Sequence, residues 1–240
     1  AEDFSFSKNP AFFYYCGNET IQGTEFHEAL AHPDSDVPVV IDMSSNYISR
    51  PIDISKYGVI FGGASKNIGP AGVTIVIVRK DLLDRANPNI PTMMHWKTLA
   101  EHDSLYNTPP VFSIYMVGLQ MKWTKKMGGL RTMGAINEKK AALIYDLIDN
   151  SSLFYTCPVT DKASRSRMNI VFRIKGGSKK LENLFVEKAE AEKMIGLRGH
   201  SFVGGLRASL YNAVSIEDVI LLANYMKGFQ HKYDKGVPLH

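Results

Sequence analysis

The first half of the chain alternates short apolar runs with clusters of Gly, Pro and Asn. Segments 12–16, 37–41, 57–61 and 73–78 are rich in β-branched and aromatic residues between turn formers, which predicts four strands. The last, Val73-Thr74-Ile75-Val76-Ile77-Val78, is nearly continuous in apolar character, the pattern of a strand buried on both faces. A helix is predicted after Asn107-Thr108-Pro109-Pro110, with Thr108 as N-cap and Pro109 at the first helical position. It keeps helical apolar spacing to Met127 and stops at Gly128-Gly129. The second half predicts a long helix over 130–149, a strand over 168–174, a helix over 179–194 and a short strand over 206–210. A last helix opens at Ser215-Ile216-Glu217-Asp218, a near capping box with Asp in place of Glu. The expectation is a larger α/β domain over 1–128 and a smaller α+β domain over 129–240.

Composition changes this picture little. At 240 residues the chain suffices for one large domain or two small ones, and 45% hydrophobic content is ordinary for a globular protein. The net charge of +4 comes from scattered residues with no Lys/Arg run, which speaks against a nucleic-acid partner. Cys16 and Cys157 are the only cysteines and lack metal-ligand spacing, so neither a zinc site nor a disulfide framework is expected. With no basic leader before an apolar core and no 18-residue apolar stretch, the expectation is a cytoplasmic protein without a membrane partner.

Lys66 is the first candidate for chemistry. It follows the apolar run 57–61 and sits among small residues in Gly62-Gly63-Ala64-Ser65-Lys66-Asn67. A lysine at the end of a buried strand is expected to be desolvated, with a lowered pKa and a more nucleophilic amine. Small neighbours leave room for a ring, which suggests a Schiff base with a carbonyl cofactor such as pyridoxal phosphate. The competing reading is a solvated loop lysine. Asp42 follows the strand predicted over 37–41, where open α/β sheets place ligand contacts. It reads either as an Asx turn with the following serines or as the partner of a pyridinium nitrogen. Asn107 and Thr108 stand at a predicted helix start and could bind an anion or merely cap; the Ser65 hydroxyl is a further donor.

Longer motifs carry a resemblance. Tyr15-Cys16-Gly17-Asn18-Glu19-Thr20-Ile21, Asp42-Met43-Ser44-Ser45-Asn46, Ser49-Arg50-Pro51-Ile52-Asp53 and Lys66-Asn67-Ile68-Gly69-Pro70-Ala71-Gly72 follow in order. After them come Tyr106-Asn107-Thr108-Pro109-Pro110, Ser166-Arg167-Met168-Asn169-Ile170 and Gly204-Gly205-Leu206-Arg207-Ala208-Ser209-Leu210-Tyr211-Asn212-Ala213. Together they resemble the phosphoserine aminotransferases, of the class-V, fold-type-I, pyridoxal-phosphate-dependent group. The resemblance implies a mostly parallel large domain, incomplete at its N-terminus, a small C-terminal domain, and a homodimer in serine biosynthesis. The implied reaction moves an amino group between glutamate and 3-phosphohydroxypyruvate, giving O-phosphoserine and 2-oxoglutarate.

By motif, Lys66 is the implied Schiff-base lysine and proton shuttle, Asp42 the partner of the pyridine nitrogen, and Thr20 a donor to the phenolic oxygen. Asn107 and Thr108 are implied ligands of the neighbouring subunit's cofactor phosphate, and Arg207 the grip on the substrate α-carboxylate. The chain departs from the family in three places. Ser65 stands where a glutamine phosphate ligand is usual. The family's Gly-His-Arg reads Gly199-His200-Ser201 here, so that of the implied substrate-phosphate pair only His200 is kept, and Arg198 is the candidate replacement for the arginine. The part carrying the Gly-rich phosphate turn, the stacking aromatic and a substrate arginine is missing before the Thr20 motif. Two alternatives remain: another fold-type-I aminotransferase, such as an alanine–glyoxylate type, or a shortened, non-catalytic form acting through dimerisation.

Overall fold

The computed structural model describes residues 5–234. In chain order the described strands are β1 (Phe13–Cys16), β2 (Asn18–Glu19), β3 (Thr24–Glu25), β4 (Val39–Asp42), β5 (Val59–Gly63) and β6 (Thr74–Val78). Then follow β7 (Tyr155–Thr156), β8 (Asn169–Ile174) and β9 (Leu206–Ser209). The α-helices are α1 (Trp96–Glu101), α2 (Val111–Lys126), α3 (Gly129–Asp149), α4 (Lys179–Ala191) and α5 (Ile216–Tyr233).

The chain divides into two compact units. The first comprises Ala1–Gly17, Glu28–Tyr47 and Ile52–Trp123; the second comprises Asn18–His27, Ile48–Pro51 and Thr124–His240. This differs from the expected division at 128/129, because two early segments join the C-terminal unit. Hydrogen bonds hold them there. Asn18 Nδ2 donates to Asn169 Oδ1 at 2.8 Å, and Asn212 Nδ2 donates to the Ile48 carbonyl at 3.1 Å. Such long-range pairing cannot be read from local composition.

In the first unit the sheet runs β1-β4-β5-β6. β1 and β5 both pair with β4 in parallel, while β6 pairs with β5 antiparallel. Along β4, Val39 and Ile41 point inward and Val40 and Asp42 are half-buried, the period-two alternation of a strand. Val59 and Ile60 of β5 complete this core. β6 corrects an expectation. It is an edge strand with Val76 and Ile77 exposed, not a strand covered on both faces. An apolar run is compatible with burial but does not say what covers it. The start of α2 is a second correction: the helix begins at Val111, so Thr108 is not its N-cap. Pro110 disfavours helical geometry at Pro109 and delays the start. α2 also exposes apolar side chains, among them Phe112 at 72% and Tyr115 at 61%.

In the second unit β7, β8 and β9 form an antiparallel sheet. Ile144 of α3, Phe172 of β8, Phe185 of α4 and Met226 of α5 are fully buried in one shared core. Phe172 and Phe185 meet edge to face at 5.8 Å, a geometry that adds to simple area burial. α5 is capped as expected, with reciprocal bonds between Ser215 and Asp218. β2 and β3 form a small hairpin whose turn needs Gly23. Its φ is +75°, and a Cβ there would lie 2.6 Å from Val171 Cγ2.

Candidate active site

Asp42 ends β4 directly opposite Phe61 of β5, at the C-terminal edge of the parallel strands. Its Oδ1 accepts from both the backbone N–H and the hydroxyl of Ser44, at 2.8 and 2.6 Å. The Asx-turn reading of Asp42 is therefore correct, and it leaves the functional reading open, since both bonds fall on one oxygen. The Ser44 hydroxyl also accepts from Gly63 N–H at 3.1 Å, tying the end of β4 to the end of β5. A Cβ at Gly63 would meet nothing nearer than Ser44 Oγ at 4.0 Å, so the space on that side of β5 is open.

Lys66 follows in the loop after β5. Ala64 and Ile68 are fully buried, and Asn67 is anchored by its Nδ2 donating to the Tyr47 carbonyl at 2.6 Å. Gly69 N–H closes the loop onto the Ala64 carbonyl at 2.8 Å. The loop is thus pinned on both sides of Ser65 and Lys66, and these two side chains are exposed. That corrects the expectation of a desolvated lysine. Three neighbours turn inward, and the tight turn between them forces Ser65 and Lys66 out. Asn107 and Thr108 are likewise exposed, with Asn107 Nδ2 donating to the Thr108 carbonyl at 3.4 Å. Asp42, Ser65, Lys66, Asn107 and Thr108 all belong to the first unit.

Thr20, Arg198, His200 and Arg207 belong to the second unit. Arg207 lies on β9, and its NH1 donates to the Thr20 carbonyl at 3.3 Å. Its Nε is buried without a hydrogen-bond partner among the described residues. Arg207 and His200 line a cavity of about 480 Å³ with Val171, Phe172 and Leu206. A guanidinium with an unmet donor beside an apolar-walled cavity suits an anionic ligand. His200 is oriented locally: its Nδ1 accepts from Phe202 N–H at 3.3 Å and its ring stacks on Phe202 at 5.3 Å. Arg198 does not line this cavity. It pairs with Leu206 in an isolated bridge, so the pleat sends Arg198 and Arg207 to opposite faces. Arg198 NH1 donates instead to Asn183 Oδ1 at 2.8 Å, beside a smaller cavity of about 240 Å³ that it shares with His200 and Ser201.

The sequence reading assigned no role to the charged cluster around Glu25. This nearly buried carboxylate accepts from Arg167 N–H at 2.9 Å and faces the Arg50 and Arg167 guanidinium groups at 3.5 and 3.6 Å. His27 stands beside Arg167, with its Nε2 3.0 Å from the Arg165 carbonyl oxygen and its Nδ1 3.9 Å from Glu25 Oε2. Burial lowers the His27 pKa, with Glu25 opposing and Arg167 adding to the effect. Arg50 and Arg167 lie within recognised motifs, but nothing local signals that they converge on one carboxylate. Arg173 was missed for the same reason: it borders the larger cavity while held by Glu182 at 2.7 Å. Among the described residues no group of three His, Cys, Asp or Glu is arranged to hold a metal, and no helix is long and apolar enough to cross a membrane.

Comparison with known proteins identifies the family of this α/β fold. The family model for class-V aminotransferases matches residues 4–222, and the chain belongs to that family. It is 51% identical to the phosphoserine aminotransferase of Paraburkholderia phytofirmans over 96% of this chain and 62% of that protein. The Drosophila melanogaster phosphoserine aminotransferase is 49% identical over 95% of this chain and 63% of its own length. The solved phosphoserine aminotransferase of Bacillus circulans subsp. alkalophilus superposes with a TM-score of 0.89 at 47% identity, covering 95% of this chain and 62% of that one. The PLP-bound phosphoserine aminotransferase of Trichomonas vaginalis gives 0.86 at 42%, covering 93% and 62%. The chain thus spans about 62% of the length of these relatives. The fold class is that of the fold-type-I aminotransferases.

Proposed function

We propose that the chain carries a pyridoxal-phosphate site of a phosphoserine aminotransferase, acting between glutamate and 3-phosphohydroxypyruvate and giving O-phosphoserine and 2-oxoglutarate. The observation that carries this is the placing of Asp42 at the end of β4 and of Lys66 in the loop that follows the adjacent parallel strand β5, in a chain about half identical to such enzymes. Pyridoxal phosphate, when bound, supplies an electron sink for the substrate α-carbon. Lys66 would hold its carbonyl carbon and move the proton at that α-carbon, for which an exposed, loop-pinned amine is accessible. The second Asp42 oxygen would face the ring nitrogen and keep it protonated, because a nearby carboxylate favours the cationic form. Thr20 would donate to the phenolic oxygen. Ser65 would reach the cofactor phosphate, and Asn107 and Thr108 that of a second copy, which makes a homodimer part of the site. Arg207 would grip the substrate α-carboxylate in a bidentate fashion that lysine cannot match.

His200 is the better candidate for the substrate phosphate; the engagement of Arg198 by Asn183 weakens its claim. Ser201 is the residue that favours a second reading, an aminotransferase without phosphate preference. The likeness to the Nostoc alanine–glyoxylate aminotransferase, at 14% identity and a TM-score of 0.74, is one of fold alone. For the 240-residue polypeptide by itself we expect low turnover, since it spans 62% of the relatives' length. A cytoplasmic setting completes the reading, supported by two cysteines that form no disulfide.

The test is spectroscopic. Added pyridoxal phosphate should give a visible absorption band that Lys66→Ala abolishes while its circular dichroism stays unchanged. O-phosphoserine should then discharge the band much faster than serine or alanine. Equal rates would remove the phosphate-specific assignment; a band that survives Lys66→Ala would remove the site.

A further inference from the structure

The turn between Gly199 and Gly205 presents His200 to the larger cavity, yet its tip has no apolar cover: Ser201, Phe202 and Val203 are all exposed. Backbone bonds close the turn on itself, with Gly199 N–H donating to the Gly205 carbonyl at 2.9 Å and Gly204 N–H to the His200 carbonyl at 2.8 Å. Arg173 reaches the tip from outside. Its NH1 donates to the Val203 carbonyl at 3.2 Å. The other edge of the same guanidinium is fixed by a fork on Glu182 of α4, Nε to Oε1 at 2.7 Å and NH2 to Oε2 at 3.3 Å. Glu182 is itself buried, and its Oε1 also accepts from Ile174 N–H at 3.4 Å. A planar guanidinium engaged on both edges has little freedom to turn. The stem of Arg173 is confined as well. Phe172 and Leu206 are direct partners across β8 and β9, so continuing that register places Arg173 opposite Gly205, at the mouth of the turn. A Cβ at Gly205 would lie 2.7 Å from Arg173 Cδ, and one at Gly177 would lie 2.7 Å from its NH2. The absence of side chains at these two positions leaves the slot in which Arg173 lies.

We infer that Arg173 is a positioning residue for recognition of the substrate phosphate: anchored on Glu182, it holds the Val203 carbonyl and so fixes the turn in the form that aims His200 into the cavity. The inference rests on the phosphate role given to His200 above. Ser201 carries no charge, which leaves His200 as the candidate phosphate contact on this turn. An imidazole on an exposed, mobile turn would have to be ordered each time a ligand binds, and that ordering weakens affinity. With the tip already held, less of the cost falls on binding. Arg198 cannot take this part, because it leaves on the opposite face and is engaged by Asn183. Arg173 is on the right face. Val171 and Arg207 are direct partners, so Arg173, two residues along β8, shares the face of the sheet that bears Arg207, and both border the same cavity.

Arg173→Met keeps the stem beside Gly205 and removes the fork. Alone it would leave the Glu182 charge buried without its partner, so Glu182→Met is made with it. Should this pair variant not fold, Arg173→Lys replaces it and should give the same changes in smaller measure, since one ammonium cannot fork onto Glu182 and hold Val203 together. The full chain, supplied with pyridoxal phosphate, is mixed with O-phosphoserine or with serine, and the rate of discharge of the Lys66-dependent band is followed against concentration. In the pair variant the half-saturating concentration of O-phosphoserine should rise about tenfold while the limiting rate is retained. Serine, which has no phosphate, should be unaffected. In a His200→Ala background the pair substitution should add nothing further. Without cofactor, amide hydrogen exchange at Gly204 should be faster in the variant, because its bond to the His200 carbonyl closes the turn. An unchanged half-saturation for O-phosphoserine, an equal loss for serine or an unchanged Gly204 exchange overturns the role of Arg173. A further loss in the His200→Ala background overturns it too, and would make Arg173 a direct ligand instead. A wild type without the Lys66-dependent band or without preference for O-phosphoserine over serine, or a His200→Ala variant that binds as before, overturns the reading on which the inference rests, and the inference with it.

Discussion

Lys140 has no accessible surface, and its ammonium donates to the carbonyls of Leu210, Tyr211 and Val214 at 3.0, 2.9 and 3.0 Å. It ties together the turn that follows β9, and so supports Tyr211 and Asn212 from below. Burial pulls its pKa from 10.5 down to about 8. The sign of the pH effect follows. Below about pH 8 both folded and unfolded chains hold this proton; between about 8 and 10.5 only the unfolded chain does, so this group adds stability as pH rises. Lys140→Met should remove that rise and leave three carbonyls without a donor. The expected loss at neutral pH is about 3 kcal/mol, taking the lower limit of about 1 kcal/mol per unsatisfied group. Thermal melts of both proteins across pH 7 to 10 check both parts; an unchanged melting temperature would mean the carbonyls find other donors. Nothing around Lys140 in the sequence announces this. It occupies an ordinary helix position, with Lys139 beside it exposed.

Among the elements, the loop between α4 and β9 depends on one glycine. A Cβ at Gly199 would lie 2.2 Å from the Gly204 carbonyl oxygen and 2.8 Å from that of Gly205, and backbone cannot move aside as a side-chain tip can. His200 N-terminal to this turn's tip is held by the Val203 and Gly204 N–H groups, which donate to its carbonyl at 3.1 and 2.8 Å. Gly199→Ala should open the turn and misplace His200. Apparent affinity for O-phosphoserine is expected to fall about tenfold, a loss of roughly 1.4 kcal/mol, measured by titration of the cofactor band. Retained affinity would take His200 out of the phosphate site. Most elements were legible because their signals are local: the capping residues of α5, the Gly128-Gly129 break and the β-branched run that becomes β4. β6 was misread because strand burial depends on what packs over it. α1 and the two-residue strands β2, β3 and β7 were missed because so short a segment carries no period.

At the scale of the whole molecule, the exposed apolar side chains of α2 invite a partner. Isolated exposed hydrophobics are ordinary, but Val111, Phe112 and Tyr115 stand together at 61–72% exposure at the start of one helix. That helix follows directly on Asn107 and Thr108, the residues assigned to a second copy's cofactor phosphate. Sedimentation velocity should find the chain self-associated, and Phe112→Glu should shift it towards monomer while helix content is retained. A wild-type monomer at micromolar concentration would count against the shared site.

The sequence by itself supplied the candidate chemical groups and the longer elements of the fold. Lys66, Asp42, Thr20 and Arg207 stand out as candidates because each lies inside a contiguous motif that carries the family resemblance. Tertiary structure alone decided which segments share a unit, that Lys66 faces outward, that Arg198 and Arg207 diverge, and which distant polar side chains pair in the interior. The physical reason is range. Propensity, capping and periodicity act over a few residues, whereas burial and hydrogen-bond direction are set by partners such as Asn18 and Asn169, 151 positions apart.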